Sequence, residues 1–283
     1  INGMNMPDEA SVLSVNQNAI AISIGGSATI GGDLYLTAED DGSLDLTGGG
    51  LSVGGESDIN VIRDNNVHWL EDEPSFPELN LAPFEALAET ATVIDASTDV
   101  DGKDLVFNNV RIAAGTNPEF KQDTVINGLL YIEAPNEVTF KSKVILNAIV
   151  VTEDGNGVTG ASTLDFKSQV TVPGVDALPD TEEFADVKTL RGTAILAPGF
   201  GVQFRGQVNS INGTIAADQF SFLGNSSISG DVSGTIIGLS SKDLVMSGNA
   251  TILVNKEAAD DTPAGFVHFQ GVAPVGNTYS EGD

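Results

Sequence analysis

The sequence predicts an all-β protein, a right-handed parallel β-solenoid with one or two short helical excursions, formed by a single domain over residues 1–283. Three observations predict this fold: a short unit recurs along the chain, aliphatic runs alternate with small polar residues, and glycine is frequent, at 32 of 283 residues. A unit of this length cannot bury its own apolar side, so stacking on neighbouring units completes the core. An antiparallel β-sandwich is the alternative, because short strands between glycine-rich turns also suit that fold.

The recurring unit begins with Phe or Met, passes through small or polar residues and enters a β-rich run. It starts at Phe120, Phe140, Phe166, Phe204, Phe222 and Met246. We expect these side chains to point inward and stack from coil to coil, so that their role is in folding. The 38 residues from Phe166 to Phe204 are enough for two coils. About ten coils, at the spacing of neighbouring β-strands, would form a rod of roughly 50 Å.

Most units carry a second signal, in which Asn or Ser and then Gly or Ala precede an aliphatic run. It reads NGLLYI from Asn127, NAIVV from Asn147 and NGTIAA from Asn212. Asn and Gly tolerate positive φ, which a tight corner between strands requires. The N-terminal third follows the same alternation with more glycine, for example in AIAISIGGSATIGGDLYL. We therefore expect one architecture along the whole chain, with corners at these positions.

Two segments interrupt the pattern and are predicted to leave the solenoid wall. The first, residues 62–100, contains three prolines and the sequence FEALAET, which predicts a short helix. The second, residues 176–191, has Asp180 as a candidate N-cap and Glu183 three residues later. Such helices often cover β edges that would otherwise promote aggregation. From about residue 271 onward we expect a tail.

The charge balance excludes several classes of partner. Lys and Arg total 12 against 40 Asp and Glu, for a net charge of −28. Such a surface repels nucleic acid and disfavours anionic membranes. The absence of Cys excludes disulfides and thiolate metal sites, and no apolar run reaches the roughly 18 residues of a membrane-spanning helix. Because the sequence starts at Ile1 without a signal-peptide pattern, we expect a processed chain whose anchor lies outside it.

Clusters of acidic residues at turns are the candidate metal ligands. Glu39, Asp40 and Asp41 lie between two β-rich runs, and Asp99 and Asp101 form a second cluster. Adjacent carboxylates at a turn supply the oxygen ligands that Ca²⁺ prefers. Neither cluster matches an EF-hand loop, and solvated acidic turns are the alternative explanation. Ca²⁺ is the expected ion, and the sequence predicts no catalytic or other cofactor-binding residue.

Two further motifs have a structural explanation beside a functional one. The sequence GNGVTG at residues 155–160 matches a dinucleotide-binding pattern, but a strand is predicted to follow it where that site requires a helix. His68 lies beside Trp69 and the acidic residues 71–73, which suits a metal or sugar site or an ordinary acidic loop. The second histidine, His268, is predicted to be a solvent-facing strand residue.

Three N-x-S/T sequons begin at Asn212, Asn225 and Asn249. They are glycan acceptors if the chain is secreted by an organism that uses this sequon. Otherwise, turn geometry explains Asn at these corners.

Four basic residues directly follow the aromatic residue of the unit: Lys121, Lys141, Lys167 and Arg205. Stacked coils would align them as a ridge, where they would pair with neighbouring carboxylates. The other interpretation is a track for an acidic polysaccharide, because many enzymes that cut such polymers are β-solenoids. A carbohydrate-active or carbohydrate-binding β-helix protein, dependent on Ca²⁺, is therefore the alternative function.

The stretch from residue 105 to residue 256 resembles a known group of bacterial proteins. Its runs INGLLYI, AILAPGFGVQF and INGTIAA are similar to those of β-solenoid ectodomains associated with pilus assembly of the Tad or PilX type, with some similarity to polymer-forming, bactofilin-like solenoids. The resemblance implies an extracellular or cell-surface structural or adhesive module, pilus-associated or filament-forming, without catalysis. Its implied partners are other surface or filament subunits, glycans or further copies of the chain.

Overall fold

A computed structural model describes residues 2–3, 11–14, 20–37, 41–71, 78–167, 169–224, 227–232, 235–240, 242, 244–248, 251–254 and 263–267. Within them the protein is all-β, and its main sheet of 18 strands is parallel and curled. The antiparallel β-sandwich is wrong, because every described strand pair of the main sheet is parallel. No helix in the described ranges is long and apolar enough to cross a membrane.

The chain forms short strands, two α-helices and a few 3-10 helices. The strands before residue 70 are β1 (Asn2–Gly3), β2 (Val12–Ser14), β3 (Ile22–Gly25), β4 (Thr29–Ile30), β5 (Leu34–Leu36), β6 (Leu44–Thr47), β7 (Ser52–Val53) and β8 (Val67–Trp69). The next are β9 (Glu78–Leu79), β10 (Thr92–Ile94), β11 (Val106–Ile112), β12 (Glu119–Phe120), β13 (Val125–Ile132), β14 (Glu137–Phe140), β15 (Val144–Thr152), β16 (Thr163–Phe166) and β17 (Val170–Val172). The last are β18 (Thr193–Phe204), β19 (Gln207–Ile211), β20 (Thr214–Gly224), β21 (Ser227–Val232), β22 (Ile236–Gly238), β23 (Val245–Gly248), β24 (Thr251–Val254) and β25 (Phe266–Val267). The helices are α1 (Ile59–Asn65) and α2 (Ala82–Ala88), with 3-10 helices at Asp41–Ser43, Val175–Ala177, Glu182–Phe184 and Val187–Thr189.

Successive layers of chain lie directly on one another in the main sheet, at register intervals that range from 18 residues between β10 and β11 to 45 residues between β15 and β18. Val125 pairs with Ile145, for example, and Phe120 with Phe140. Each layer crosses three faces in the order C, A and B. Face C contains the N-terminal halves of β11, β13 and β15, then β17, β19, β21 and β24. Face A contains β10, the C-terminal halves of β11, β13 and β15, the N-terminal halves of β18 and β20, and β22. Face B contains β12, β14, β16, the C-terminal halves of β18 and β20, then β23, β3 and β6.

A column of aromatic side chains on face B fills the core, as the sequence predicts. Phe120, Phe140, Phe166, Phe204 and Phe222 pair in register from layer to layer and are at most 1% exposed. Neighbouring ring centroids are 5.8, 4.9, 5.1 and 5.0 Å apart, within the range of favourable aromatic pairs. Met246 follows Phe222 in the backbone register; its side chain lies outside the described part of the structure.

Side chains from all three faces meet in one buried cluster. Ile126 of face C, Ile132 of face A and Val138 of face B are each fully buried in it. The alternation of inward and outward residues along each strand places these aliphatic residues in the core. One apolar core therefore runs through the layers from residue 94 to residue 222, and the buried residues of the N-terminal strands form a separate cluster.

The interval between Phe166 and Phe204 is one layer, so the prediction of two coils there is wrong. The two residues are direct register partners on β16 and β18. The extra length lies between β17 and β18, where three 3-10 helices leave the sheet. An excursion and an additional coil lengthen the repeat interval in the same way, which is why spacing alone did not separate them.

The N-terminal strands are parallel, as predicted. However, they lie next to the C-terminal strands β23 and β24 and not next to β10, which follows them in the sequence. β3 pairs with β23 and β6 with β3, so these strands continue face B of the main sheet beyond β23. β1 pairs with β24 in the same way. The other N-terminal strands form two smaller parallel sheets, β2–β5–β8 and β4–β7. The N-terminal third thus lies at the opposite end of the stack from β10.

Helix α1 is an insertion between β7 and β8. The Asp58 carboxylate caps it by accepting a hydrogen bond of 2.9 Å from the backbone N–H of Asn60. Ile62 is fully buried, and the helix packs against β8. The predicted excursion over residues 62–100 is therefore interrupted: α1 begins at residue 59, and β8 and β10 within that range pair with other strands.

The two excursions cover the outward side of face A; cover of the β edges stays a prediction. Helix α2 forms where FEALAET predicts a helix and packs against β11 and β13. Its Phe84 joins Leu129 and Tyr131, on the outward side of face A, in a second apolar cluster. The other excursion adds Phe184 and Val187 to this cluster. Face A carries apolar residues on its outward side as well. The excursions bury these residues and so shield them from water.

The predicted N-cap at Asp180 is also wrong. The residue that precedes Glu182–Phe184 is Thr181, whose side chain makes no capping hydrogen bond. The Asp180 carboxylate instead pairs with Lys188 Nζ, and this pairing lowers the pKa of Asp180 below its ordinary value. Lys188 Nζ also donates a hydrogen bond of 3.0 Å to the backbone oxygen of Leu178. Lys188 therefore links Leu178 and Asp180 to the later part of the excursion, where an N-cap was predicted at Asp180.

Candidate functional site

The four basic residues that follow the aromatic column lie in a row at the corner where face B ends, as predicted. Each comes directly after a Phe that pairs in register with the next layer. Several non-glycine residues at these corners have positive φ, namely Gln122, Asp123, Ser142, Lys143 and Gln169. With the carboxylates that contact it, the row forms a charged ridge of Lys121, Lys141, Lys167, Arg205, Asp101, Glu119 and Asp165.

Each cation of the charged ridge is paired with a carboxylate. Lys121 Nζ lies 3.1 Å from Asp101 Oδ1 and 3.8 Å from Glu119 Oε1. Lys141 Nζ, one layer further, lies 3.2 Å from the same Glu119 oxygen. The hydrogen bond and the negative charge of Asp101 raise the pKa of the Lys121 amino group above its ordinary value. Glu119 thus links two successive layers electrostatically.

Asp165 is the most enclosed acid of the charged ridge. Its side chain is 12% exposed and lies between Lys167 Nζ, at 3.5 Å, and Arg205 Nε, at 3.4 Å. A carboxylate this enclosed requires opposite charges nearby to offset the loss of hydration. The predicted pairing of the ridge with neighbouring carboxylates is confirmed. An acidic polymer would have to break these pairs to bind the cations.

The acidic turns proposed for Ca²⁺ are only partly described. Glu39 and Asp40 lie outside the described residues, as does the side chain of Asp41. Asp99 Oδ1 accepts a hydrogen bond of 3.0 Å from the backbone N–H of Asp101, whose carboxylate pairs with Lys121. Within the described ranges, no group of three or more His, Asp or Glu side chains converges on a possible metal position. Calcium binding at either turn stays a prediction.

His68 lies on strand β8 and contacts an acid that its sequence neighbours do not indicate. Its Nε2 is 2.7 Å from Asp33 Oδ2, and its ring stacks on Tyr35 with centroids 4.7 Å apart. Asp33 Oδ1 also accepts a hydrogen bond of 2.8 Å from Asn66 Nδ2. Tyr35 and His68 are register partners on β5 and β8. The histidine therefore joins two layers of the N-terminal third and lies on a strand, so the interpretation as a residue of an acidic loop is wrong. Residues 72 and 73 lie outside the described residues, and the metal or sugar site stays a prediction.

A ladder of asparagine side chains crosses three layers at the corner between faces C and A. Asn127 Nδ2 donates to Asn108 Oδ1 at 2.9 Å, and Asn147 Nδ2 donates to Asn127 Oδ1 at 3.0 Å. At one end, Asn108 Nδ2 donates to Glu183 Oε1 of the second excursion at 3.0 Å. Asn127 and Asn147 lie at corners, as predicted, but their side chains act through hydrogen bonds between layers and not only through backbone conformation. Their spacing of 20 residues was the signal that could have revealed the ladder.

Tyr131 is the buried titratable group of the surface beneath α2. It is 6% exposed, and burial together with the charges of Glu85, Glu153 and Glu133 raises its pKa from 10.0 to about 12. Its environment keeps the hydroxyl protonated throughout the physiological range. Its ring packs in the apolar cluster that also contains Phe84 and Leu129.

The GNGVTG segment is a loop between β15 and β16, as predicted. The backbone N–H of Gly155 donates a hydrogen bond of 3.0 Å to Pro198 O in the next layer. Strand β16 follows the loop, so no helix N-terminus is present there to hold a pyrophosphate. The dinucleotide interpretation is excluded for this segment.

Asn212 is the one sequon asparagine within the described ranges. Its Nδ2 donates to Pro173 O at 3.2 Å and lies 3.4 Å from Asp176 Oδ2. The side chain therefore holds the corner that leads into the second excursion. Asn225, Asn249 and His268 lie outside the described residues, and glycosylation stays a prediction.

Comparisons with known protein families, curated proteins and solved structures found no match for this chain. The resemblance to pilus-associated and bactofilin-like solenoids is therefore untested by them and stays a prediction.

Proposed function

We propose that the chain is a right-handed β-solenoid that serves as a structural or adhesive module, outside the cell or on its surface, as a pilus-associated or filament-forming subunit. The observation that carries the proposal is the in-register aromatic column of face B, which runs through five layers. Layers that contact only their neighbours make a stiff body whose length depends on the number of layers. The eight strands of face B, from β12 to β6, extend over about 34 Å at the usual strand spacing.

The surface chemistry supports a structural role. The cations of the charged ridge are neutralised by Asp101, Glu119 and Asp165, so the ridge stabilises contacts between layers. A net charge of −28 keeps such a body soluble in a saline, extracellular setting. The resemblance of residues 105–256 to pilus-associated ectodomains favours the same location.

Electron microscopy of the purified chain tests the proposal. Samples in CaCl2 and, as the matched control, in EDTA should show filaments or rods joined end to end. Separate particles about 40 Å long in both buffers, the length of a single stack, would contradict a filament-forming subunit. Filaments that form only with Ca²⁺ would also support the calcium sites predicted at residues 39–41 and at Asp99 and Asp101.

A further inference from the structure

Asn–Gly dipeptides begin at Asn2, Asn127, Asn156 and Asn212. The backbone nitrogen that follows an asparagine can attack the side-chain amide carbon, and glycine hinders this approach least because it has no Cβ. Whether the attack occurs depends on how freely the two groups can move in the folded chain. The structure describes the surroundings of the last three dipeptides, and these surroundings differ.

The dipeptide Asn127–Gly128 is held by its backbone and by its side chain. It lies within β13, where Gly128 pairs with Ala148 of the next layer. The Asn127 side chain donates one hydrogen bond and accepts another in the asparagine ladder, at 2.9 and 3.0 Å. The Asn109 side chain fills the space that a Cβ atom of Gly128 would need. Reaction at Asn127 therefore requires the ladder and the strand to open together.

The dipeptide Asn212–Gly213 is held at the corner between β19 and β20. Asn212 Nδ2 donates to Pro173 O at 3.2 Å, and the Asn212 backbone N–H donates to Val172 O at 2.9 Å. Gly213 is buried, and a Cβ atom there would lie 2.8 Å from Ala194 N. Reaction at Asn212 therefore requires this corner to open as well.

The dipeptide Asn156–Gly157 is exposed in the loop between β15 and β16. A hydrogen bond of 3.1 Å from the backbone N–H of Val158 to Gly155 O closes a turn around it. Gly157 has a φ of +77°, and a Cβ atom built on it would meet nothing within 4 Å. Within the described residues, neither the Asn156 side chain nor the Gly157 N–H makes a hydrogen bond. The two reacting groups are therefore free to approach each other in water.

We propose that Asn156 is a modification site, at which the side-chain amide is lost by reaction with the backbone of Gly157 and then with water. The Gly157 nitrogen forms a bond to Asn156 Cγ, and the bond from Cγ to Nδ2 breaks. The departing nitrogen leaves as ammonia, with the proton of the Gly157 N–H. A five-membered succinimide ring remains. Water then opens the ring at one of its two carbonyl carbons, which yields either aspartate or an isoaspartyl linkage through the side chain.

The product carries a new negative charge at the corner between faces A and B. An isoaspartyl linkage also adds one carbon atom to the main chain of the loop. The hydrogen bond of 3.0 Å from the Gly155 N–H to Pro198 O precedes the modified residue and can keep its place. We therefore expect the stack to stay folded after the reaction. The inference needs only the folded chain and water, so it is independent of the proposed function.

Mass spectrometry of the full chain, after incubation in a mildly alkaline buffer, tests the proposal. Trypsin separates the three dipeptides, because they lie in residues 122–141, 144–167 and 206–242, between successive cleavage sites. Residues 144–167 should gain about 1 Da, located at Asn156 by fragmentation, because the amide becomes a carboxylate. Asn127 and Asn212 should react at least about tenfold more slowly, since an opening free energy of about 1.4 kcal/mol already lowers the reactive population tenfold.

Two controls separate the effect of the fold from that of the sequence. In urea, where these surroundings are lost, the three dipeptides should react at similar rates. Asn156→Gln, whose longer side chain does not form the five-membered ring, should abolish the gain in residues 144–167. Reaction of Asn156 in the folded chain no faster than that of Asn127 and Asn212 would overturn the proposal. A gain that persists in Asn156→Gln, or an equal preference for Asn156 in urea, would overturn it as well.

Discussion

Phe140 and Phe166 lie in register on neighbouring strands, with ring centroids 4.9 Å apart and ring planes inclined by 21°. Both rings are fully buried, so each fills the space between one layer and the next. Protein interiors are packed at the density of organic crystals, and every layer must therefore supply a similar volume at this position. The sequence repeat of Phe follows from that requirement.

Phe140→Ala should reduce the free energy of unfolding by about 3–5 kcal/mol, because it opens a cavity between the rings of Phe120 and Phe166. Urea denaturation followed by circular dichroism measures the loss. Thr139→Ala, on the outward side of the same strand, is the matched control and should stay within about 0.5 kcal/mol of the natural chain. A loss below about 1 kcal/mol for Phe140→Ala would contradict the role of the column.

The parts of the fold that follow from a local period could be predicted from the sequence. The interval of 20 residues between Phe120 and Phe140 gives the register directly, and each basic residue is adjacent in sequence to its Phe. The row of basic residues in the charged ridge could therefore be predicted from the aromatic column, since residues that directly follow stacked residues are stacked as well. The pairing of Lys141 with Glu119 confirms that step.

Contacts between distant segments could not be predicted in this way. Helix α1 lies between β7 and β8, and it lengthens the interval from Asp33 to its partner His68 beyond one regular layer. No local signal shows that Ser23 pairs with Val245, because backbone pairing at the end of a stack requires no particular side chain. Glu183 likewise contacts Asn108 through an excursion whose path depends on tertiary packing.

Gly128 and Ala148 occupy the same position in successive layers, but only Gly128 requires the absence of a side chain. Gly128 has a φ of +85°, and a Cβ atom there would lie 2.0 Å from Asn109 Oδ1. Gly128→Ala should therefore reduce the free energy of unfolding by about 1–3 kcal/mol through backbone strain. The displacement of the Asn109 side chain should add to this loss. Ala148→Gly is the matched control and should cost about 1 kcal/mol or less. Urea midpoints compare the two, and a smaller loss for Gly128→Ala would contradict this assignment.

Asn127 is the central member of the asparagine ladder, and its removal breaks two hydrogen bonds at once. Asn127→Ala leaves Asn108 Oδ1 without its donor and Asn147 Nδ2 without its acceptor. We expect a loss of about 1–3 kcal/mol in the free energy of unfolding, because part-buried polar groups lose their partners. Asn156→Ala, in the exposed loop between β15 and β16, controls for the substitution itself and should have little effect. Equal urea midpoints for the two variants would show that the ladder does not stabilise the stack.

Tyr131 should make the stability of the fold depend on alkaline pH. Its pKa is raised to about 12 in the folded chain by burial and by Glu85, Glu153 and Glu133, against 10.0 in the unfolded chain. Between these values the unfolded chain releases the phenolic proton while the folded chain retains it. The stabilisation is thus fully present below about pH 10 and is lost as the pH rises towards 12, by up to about 1.4 kcal/mol per pH unit.

Tyr131→Phe isolates this contribution, because Phe keeps the ring beneath α2 and has no proton to release. Urea denaturation at a series of pH values from 9 to 12 should show a shallower decline in stability for the variant, with similar stability of both proteins at pH 9. Other groups that titrate in this range, such as Lys121, whose pKa is raised by Asp101, are present in both proteins and cancel in the difference. Identical pH slopes would mean that the phenol reaches water in the folded chain, and α2 would then not seal the outward side of face A.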